Sequence, residues 1–346
     1  MPVRSPRLFN LAWPLLIELL LGMTVGIVGT AMAARLSDTS GAAFALSHHV
    51  FGTLFLLFRI VGAGVGVVIT QALGAGRRDA ADAVARAVLG ASTWIGLAVA
   101  LPAALMPGTL LRWMNAPAEV LPLAAPLLTL LAPAMLLDAW NATMTAVMRA
   151  HLRARDTLAV MVAMQLTHLA LMGPLMFGVG PQPGLPGYLH VPGLPGFLHV
   201  PGLPGFLQVP ALGLPGYAVA LIAARLLAIG LHLWLWRMRL GLRPTWGDAW
   251  HLRRAELAAV ARIGLPGAAE NIAYRLAFMV SVAVVGSMGA AALATHAYAQ
   301  QIIMVVLLFG LATGLSVETV VGHLVGAGHL RLAHRLVPSR TAGDGQ

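Results

Sequence analysis

LAWPLLIELLLG, residues 11–22, and IGLPGAAENIAY, residues 263–274, both place a glutamate four residues after a proline: Glu18 after Pro14, Glu270 after Pro266. The likeness continues outward from these two stretches. Gly41-Ala42-Ala43 with His48 returns as Gly289-Ala290-Ala291 with His296, Gly62 and Gly66 return as Gly310 and Gly314, and Gly74-Ala75-Gly76 returns as Gly326-Ala327-Gly328. The register between the copies drifts by only a few residues. One design is written twice, and the second writing stops partway.

The solvent of this design is lipid. Hydrophobic residues make up 59% of the 346 and charged ones 10%, against about 25% charged in a soluble domain. A spanning helix needs about 20 apolar residues, and eight windows meet that need: 13–34, 45–73, 87–106, 121–147, 158–177, 217–236, 263–286 and 294–321. Their length excludes a barrel of short alternating strands. The expected fold is an all-α polytopic membrane protein. Residues 1–262 form a six-helix N-terminal lobe, and 263–346 supply the first two helices of a second lobe in the same membrane orientation. Parallel repeats of this kind place a substrate cavity between two lobes.

All the basic charge is arginine, 22 residues, and the formal net charge is +10. Nucleic-acid binding would gather that charge on one folded surface. Here the arginines alternate between loops: residues 4–7, 77–86, 149–155, 237–262 and 331–340 carry most of them, while the intervening loops hold Arg35 and Arg112. The positive-inside rule then puts both termini in the cytoplasm of a multi-pass inner (plasma) membrane protein. No signal-peptide cleavage site is apparent after the first apolar segment. With no cysteine, disulfides and thiolate metal sites are impossible. Residues 178–216 read as an extracytoplasmic loop that holds a tandem nonapeptide, PGLPGYLHV, PGLPGFLHV and PGLPGFLQV over 183–209. Its Pro-Gly pairs favour turns, and lengthening a loop costs little.

The first helix, with the glycine-patterned stretch GAGVGVVITQALGAGRRDAADAVARA (62–87), WMNAPAEVLPLAAPLLTLLAPAM (113–135) and VMRAHLRARDTLAVMV (147–162), resembles the multidrug and toxic compound extrusion family. The second copy, through GAGHLRLAHRL, resembles its helices 7 and 8. The resemblance implies a twelve-helix secondary transporter that exports organic, mainly cationic compounds in exchange for protons or sodium. It also implies that eight of twelve spans are present, so a C-terminally truncated chain is expected, with a non-transporting remnant as the alternative. A lipid-linked saccharide flippase is a further reading, because that group shares the wider architecture.

Charged groups within a bilayer are costly and point to function. Coupling to a cation calls for a carboxylate that binds a proton or sodium in one state and releases it in the other. Glu270, Glu18 and Asp138 are the candidates. Family members often use an acid on helix 7, which Glu270 matches, although in some subgroups it stands one turn later, where this chain has Tyr274. They often carry an aspartate on helix 1 where this chain has Gly29, which moves the expectation to Glu18. Each candidate has a structural alternative: Glu270 paired with Arg275, Glu18 in an ion pair near the interface, Asp138 bonded across helices with Asn141. Asn271 and Tyr274 join them as cavity residues. Arg59, Arg225 and Arg275 are counter-charges, or Arg59 holds an anionic substrate group. The only metal to be expected is sodium at Glu270, the only cofactor the coupling ion itself, and the partners are a small organic substrate and the bilayer, with no nucleic acid. No His-Glu-x-x-His, Walker loop or nucleophile elbow occurs, so no enzyme chemistry is expected.

Overall fold

The computed structural model describes residues 8–114, 116–178, 210–288 and 290–336. These residues are helical throughout, with no strand among them. The long helices are α1 (Leu8–Leu36), α2 (Asp38–Gly74), α3 (Arg78–Leu105), α5 (Leu121–Ala150), α6 (Ala154–Phe177), α7 (Leu214–Leu235), α8 (Arg254–Ser287) and α9 (Ala290–Gly326). Short α4 (Pro107–Trp113) and α10 (Leu330–Leu336) complete the set. A helix lies over each of the eight apolar windows. Among the described residues six stretches are long and apolar enough to cross a membrane: α1, α3, α5, α6, Leu214–Leu240 and Val306–Gly326.

Local chemistry explains the tight connections. Ser37 is the only residue between α1 and α2; its backbone is extended and its hydroxyl accepts the Ser40 amide at 3.0 Å, an N-cap that lets one helix start where the other ends. α2 ends on Gly74-Ala75-Gly76, with Gly76 at φ +72°, and α9 ends on Gly326-Ala327-Gly328, with Gly328 at φ +77°. In both, amides after the helix reach back to the same three carbonyl positions: Ala75 to Gln71, Gly76 to Leu73 and Arg77 to Ala72 in the first, Ala327 to His323, Gly328 to Val325 and His329 to Leu324 in the second. Glycine suits such a left-handed stop because it has no Cβ to clash. The duplicated sequence therefore folds into a duplicated turn.

Tandem residues 179–209 lie outside the described residues. The chain returns beside its point of departure: the amides of Leu212 and Gly213 donate to the carbonyls of Leu175 and Met176 at 2.9 and 3.0 Å. The ends of the expanded loop are thus held together independently of its length.

Two apolar cores stack within α1–α7. One, around Phe44, Leu128, Leu131, Met172 and Tyr217, fills the end away from the arginines. The other, around Ile69, Val88, Met148 and Trp236, fills the arginine-rich end. The second copy meets the first through α2 against α8 and α9, and through α1 against α9. The closest of these approaches is the crossing of α2 and α9. A Cβ at Gly74 would overlap the backbone of His323, and a Cβ at Gly326 would overlap the backbone of Gln71. Carried back from the Gly74/Gly326 match, the repeat register makes His323 the counterpart of Gln71, so the two contacts are the same contact seen from either copy. The next counterparts back, Thr70 and Gly322, face each other, and a Cβ on Gly322 would fall on the Thr70 side chain. The pseudo-two-fold axis of the duplication passes between them.

Because the obstacle at Gly74 and Gly326 is backbone, Gly74→Val and Gly326→Val should each destabilise the folded protein by about 1–3 kcal/mol, the cost of overpacking. Gly230 has no neighbour within 4 Å of an added Cβ, so Gly230→Ala should leave stability unchanged or raise it slightly. Thermal unfolding of the three variants in detergent checks the contrast.

Candidate functional site

Glu18 lies one turn beyond Pro14 on α1 and is 2% exposed. One carboxylate oxygen forms an ion pair with Arg149 in the last turn of α5. The other accepts a hydrogen bond from the Thr157 hydroxyl in the first turn of α6, at 2.7 Å. Both oxygens are engaged, and three helices are tied together at the arginine-rich end. Arg149 and Thr157 were not singled out in the sequence, although both stand in the stretch 147–162 that carries the family resemblance.

Asp138, in the middle of α5, is buried and paired with Arg225 on α7, Oδ1 to Nε at 3.0 Å. Asn141, one turn on, donates from Nδ2 to the carbonyl of Arg225 at 3.3 Å and to that of Leu137 at 3.1 Å. Asp138 and Asn141 thus grip one residue of α7 by its side chain and its backbone. Around this pair several buried polar atoms lack a partner among the described residues: Nη1 of Arg225, Oδ1 of Asn141 and both ring nitrogens of His168. An unmet polar atom in a dry interior costs about 1–3 kcal/mol, and such atoms are what ordered water, a proton or an ion satisfies. His168, at 1% exposure, packs beside the Tyr217 ring, with centroids 5.0 Å apart, and both of its ring nitrogens lack a partner among the described residues.

A chain of rings closes this region toward α1. Tyr217 meets Phe44 edge-on at 4.7 Å, and Phe44 stacks on His48 at 5.4 Å. Gly29 faces them: a Cβ there would stand 3.1 Å from Tyr217 and 3.2 Å from Phe44. The absence of an acid from this position of helix 1 now has a physical counterpart, because the aromatic rings occupy the room a longer side chain would take.

Glu270 lies exposed on α8, and Tyr274 one turn later is 65% exposed. The side chains of Asn271, Arg275 and Arg59 lie outside the described residues. Glu18 and Glu270, matched in sequence, are unlike in surroundings: the helices whose residues enclose Glu18 are α5 and α6, and no described residue forms an ion pair with Glu270. Glu318 on α9 faces α2, with a carboxylate oxygen 3.8 Å from where a Cβ of Gly66 would be. Among the described residues it too has no ion pair.

The family model described as MatE matches residues 14–172 and 266–338. An uncharacterized transporter of Bacillus subtilis, YisQ, is 27% identical over 92% of this chain and 64% of its own length. A probable multidrug resistance protein NorM of Acinetobacter baylyi is 28% identical over 52% of this chain and 40% of its own. Among solved structures, the bent form of the Vibrio cholerae MATE transporter VcmN superposes with a TM-score of 0.79 at 22% identity, covering 95% of this chain and 68% of that one. A MOP superfamily transporter from Pyrococcus furiosus superposes at 0.77 with 19% identity, covering 95% and 66%. The chain therefore spans slightly under two thirds of YisQ and of the Pyrococcus structure.

The clamp at Glu18 makes a thermodynamic prediction. Removing one member of a buried pair strands the other, at a cost of about 3 kcal/mol, whereas replacing both with apolar residues of similar size is often close to neutral. Glu18→Leu and Arg149→Met should each destabilise strongly, and the double variant should cost clearly less than the sum. Additive costs in an unfolding titration in mixed micelles would show that the two side chains do not act as a pair.

Proposed function

The chain belongs to the MatE family, and on that premise we propose that it is a secondary efflux transporter, moving organic and mainly cationic compounds outward in exchange for protons or sodium. In this reading eight helices span the inner membrane with the arginine-rich end and both termini in the cytoplasm. Residues 1–262 form one lobe, and 263–346 form the part of the second that this sequence contains. The substrate occupies the space between them.

The observation that carries the coupling is the buried Asp138–Arg225 pair with unmet polar atoms around it. With Asp138 ionised the pair is neutral. A proton arriving at Asp138 leaves the Arg225 guanidinium uncompensated in a low-dielectric interior, where like charges interact strongly. That positive charge opposes a cationic substrate, so proton entry favours release, and deprotonation restores a neutral site. Two ligands that alter each other's affinity in this way exchange rather than accumulate together. Glu270 is the second carboxylate of the proposal. Exposed on α8, it suits direct contact with a cationic substrate or with sodium, with Asn271 and Tyr274 as neighbours and Arg275 as the alternative partner.

Alternation between the two openings requires the lobes to part at the cytoplasmic end, and there the α2–α9 crossing is the contact to break. The absence of cysteine makes the protein a ready background for locking it. A Gln71→Cys/His323→Cys variant treated with a short bis-maleimide should lose transport in proteoliposomes while still binding dye, and either single variant should keep transport. A locked double variant with full transport would remove the crossing from the cycle.

For coupling, substrate added to sealed vesicles should release protons or sodium. Asp138→Asn, which like the protonated acid leaves Arg225 uncompensated, should cut proton-coupled efflux at least tenfold and weaken binding of a cationic dye, and Glu270→Gln should weaken binding of the cation as well. The assignment of both residues is overturned if each variant retains full coupled exchange.

A further inference from the structure

Between the two lobes the chain makes a strap, residues 236–254, that the transport reading does not use. Beyond α7 it continues through a π-helical turn (Trp236–Leu240), reverses at Gly241 with φ +74°, and passes through a single 3₁₀ turn (Trp246–Ala249) before α8. This is a built element. Trp236 is fully buried, and Leu240 and Leu242 are buried beside it. Asp248 accepts from both the amide and the hydroxyl of Thr245 at 2.9 Å, and from Arg253 at 2.8 Å. Burial works against ionisation of Asp248, but the hydrogen bonds from Thr245 and the nearby charges of Arg253 and Arg86 outweigh it, and its carboxyl is held below the usual range. Gly90 on α3 is the notch into which the strap fits, since any Cβ there would overlap the carbonyl of His251. The Trp94 indole donates to the Trp250 carbonyl at 3.0 Å.

What this architecture leaves outside is specific. Trp246 is 74% exposed and Trp250 43%, with Met238 and Leu252 more than half exposed. Trp94 and Trp250 meet edge to face at 6.2 Å, and Trp140 and Trp246 at 6.4 Å, so four indoles gather around the strap. Arg237, Arg239, Arg243, Arg253 and Arg254 are exposed as well. The one acid of the strap, Asp248, is turned inward and used up, which leaves the outer face cationic. Exposed indoles beside arginines match the depth at which a bilayer passes from acyl chains to phosphates. A guanidinium binds a phosphate with two parallel hydrogen bonds.

We propose that the 236–254 strap is a binding site for the headgroup of an anionic phospholipid, its tryptophans seated at the acyl boundary and its arginines on the phosphate. The strap joins the last helix of one lobe to the first of the next, so the lipid holds the hinge between them at the membrane surface.

The test uses the full chain in nanodiscs of phosphatidylcholine alone or with about one third phosphatidylglycerol, enough to set up an anionic surface. Tryptophan quenching by brominated phosphatidylglycerol should exceed quenching by brominated phosphatidylcholine at least threefold, and the anionic lipid should raise the melting temperature. Arg237→Gln/Arg243→Gln should abolish both effects. Arg77→Gln/Arg78→Gln, at another exposed turn of the same end, should preserve them. Trp246→Ala, with the arginines intact, should keep the thermal shift in part and lose most of the preferential quenching. Equal quenching by the two lipids, or equal loss in both arginine pairs, overturns the proposal. Inorganic phosphate should produce no shift; if it reproduces the full shift, the site is one for free phosphate and the lipid assignment fails.

Discussion

Gly74 and Gly326 set how near the two halves of this protein come to one another. Each stands against the backbone of the other helix, and no side chain larger than hydrogen fits at either place. Helices that meet in lipid gain little from excluding water, so close backbone approach and dispersion contacts are the main attraction available to them. The crossing of α2 and α9 therefore fixes the axis of the molecule. α1 against α9 and α2 against α8 are the same contact on opposite sides of that axis, and the turns that close α2 and α9 repeat it down to individual hydrogen bonds.

Charge is used sparingly around this frame, and differently by position. At the arginine-rich end both carboxylate oxygens of Glu18 are engaged, by Arg149 and by Thr157, while Nε of Arg149 is buried without a hydrogen-bond partner among the described residues; the unit joins three helices. Midway along α5, Asp138 and Arg225 are also paired, and Asn141, His168 and Arg225 itself keep polar atoms unmet. A satisfied ion pair resists change. An unsatisfied neighbourhood invites a small ligand, and a proton is the smallest available. Unmet polar atoms beside a carboxylate are a better guide to where ions act than the presence of carboxylates alone.

The duplication, the helical class and the pairing of the copies were legible in the residues, because proline, glycine and glutamate spacing survives in one dimension. Asp138 beside Asn141 on one helix, and the standing of Arg225 as a counter-charge, were legible as well. Which arginine answers Asp138 was not, since α5 and α7 are separated by a long stretch of chain and periodicity says nothing about which helix faces which. Glu18 and Glu270 look equivalent in sequence because their local motifs match. Burial separates them, and burial depends on α5 and α6, which lie far from Glu18 along the chain. Tyr217 against Gly29 is similar: the missing acid was visible, but the ring that fills the space stands at the start of another helix. The inward use of Asp248 was hidden because a turn of four residues carries no periodic signal.

Thr70 facing Gly322 on the pseudo-axis is a pairing that two identical polypeptides cannot make. A symmetric dimer of one lobe would set threonine against threonine there, with both side chains competing for one place, or glycine against glycine, with a gap. Joining the lobes in a single gene lets one copy keep the hydroxyl while the other gives way to it. From that point the two copies evolve under reciprocal constraint: a larger residue accepted in one lobe at the axis must be answered by a smaller one in the other, so the halves diverge in compensating pairs.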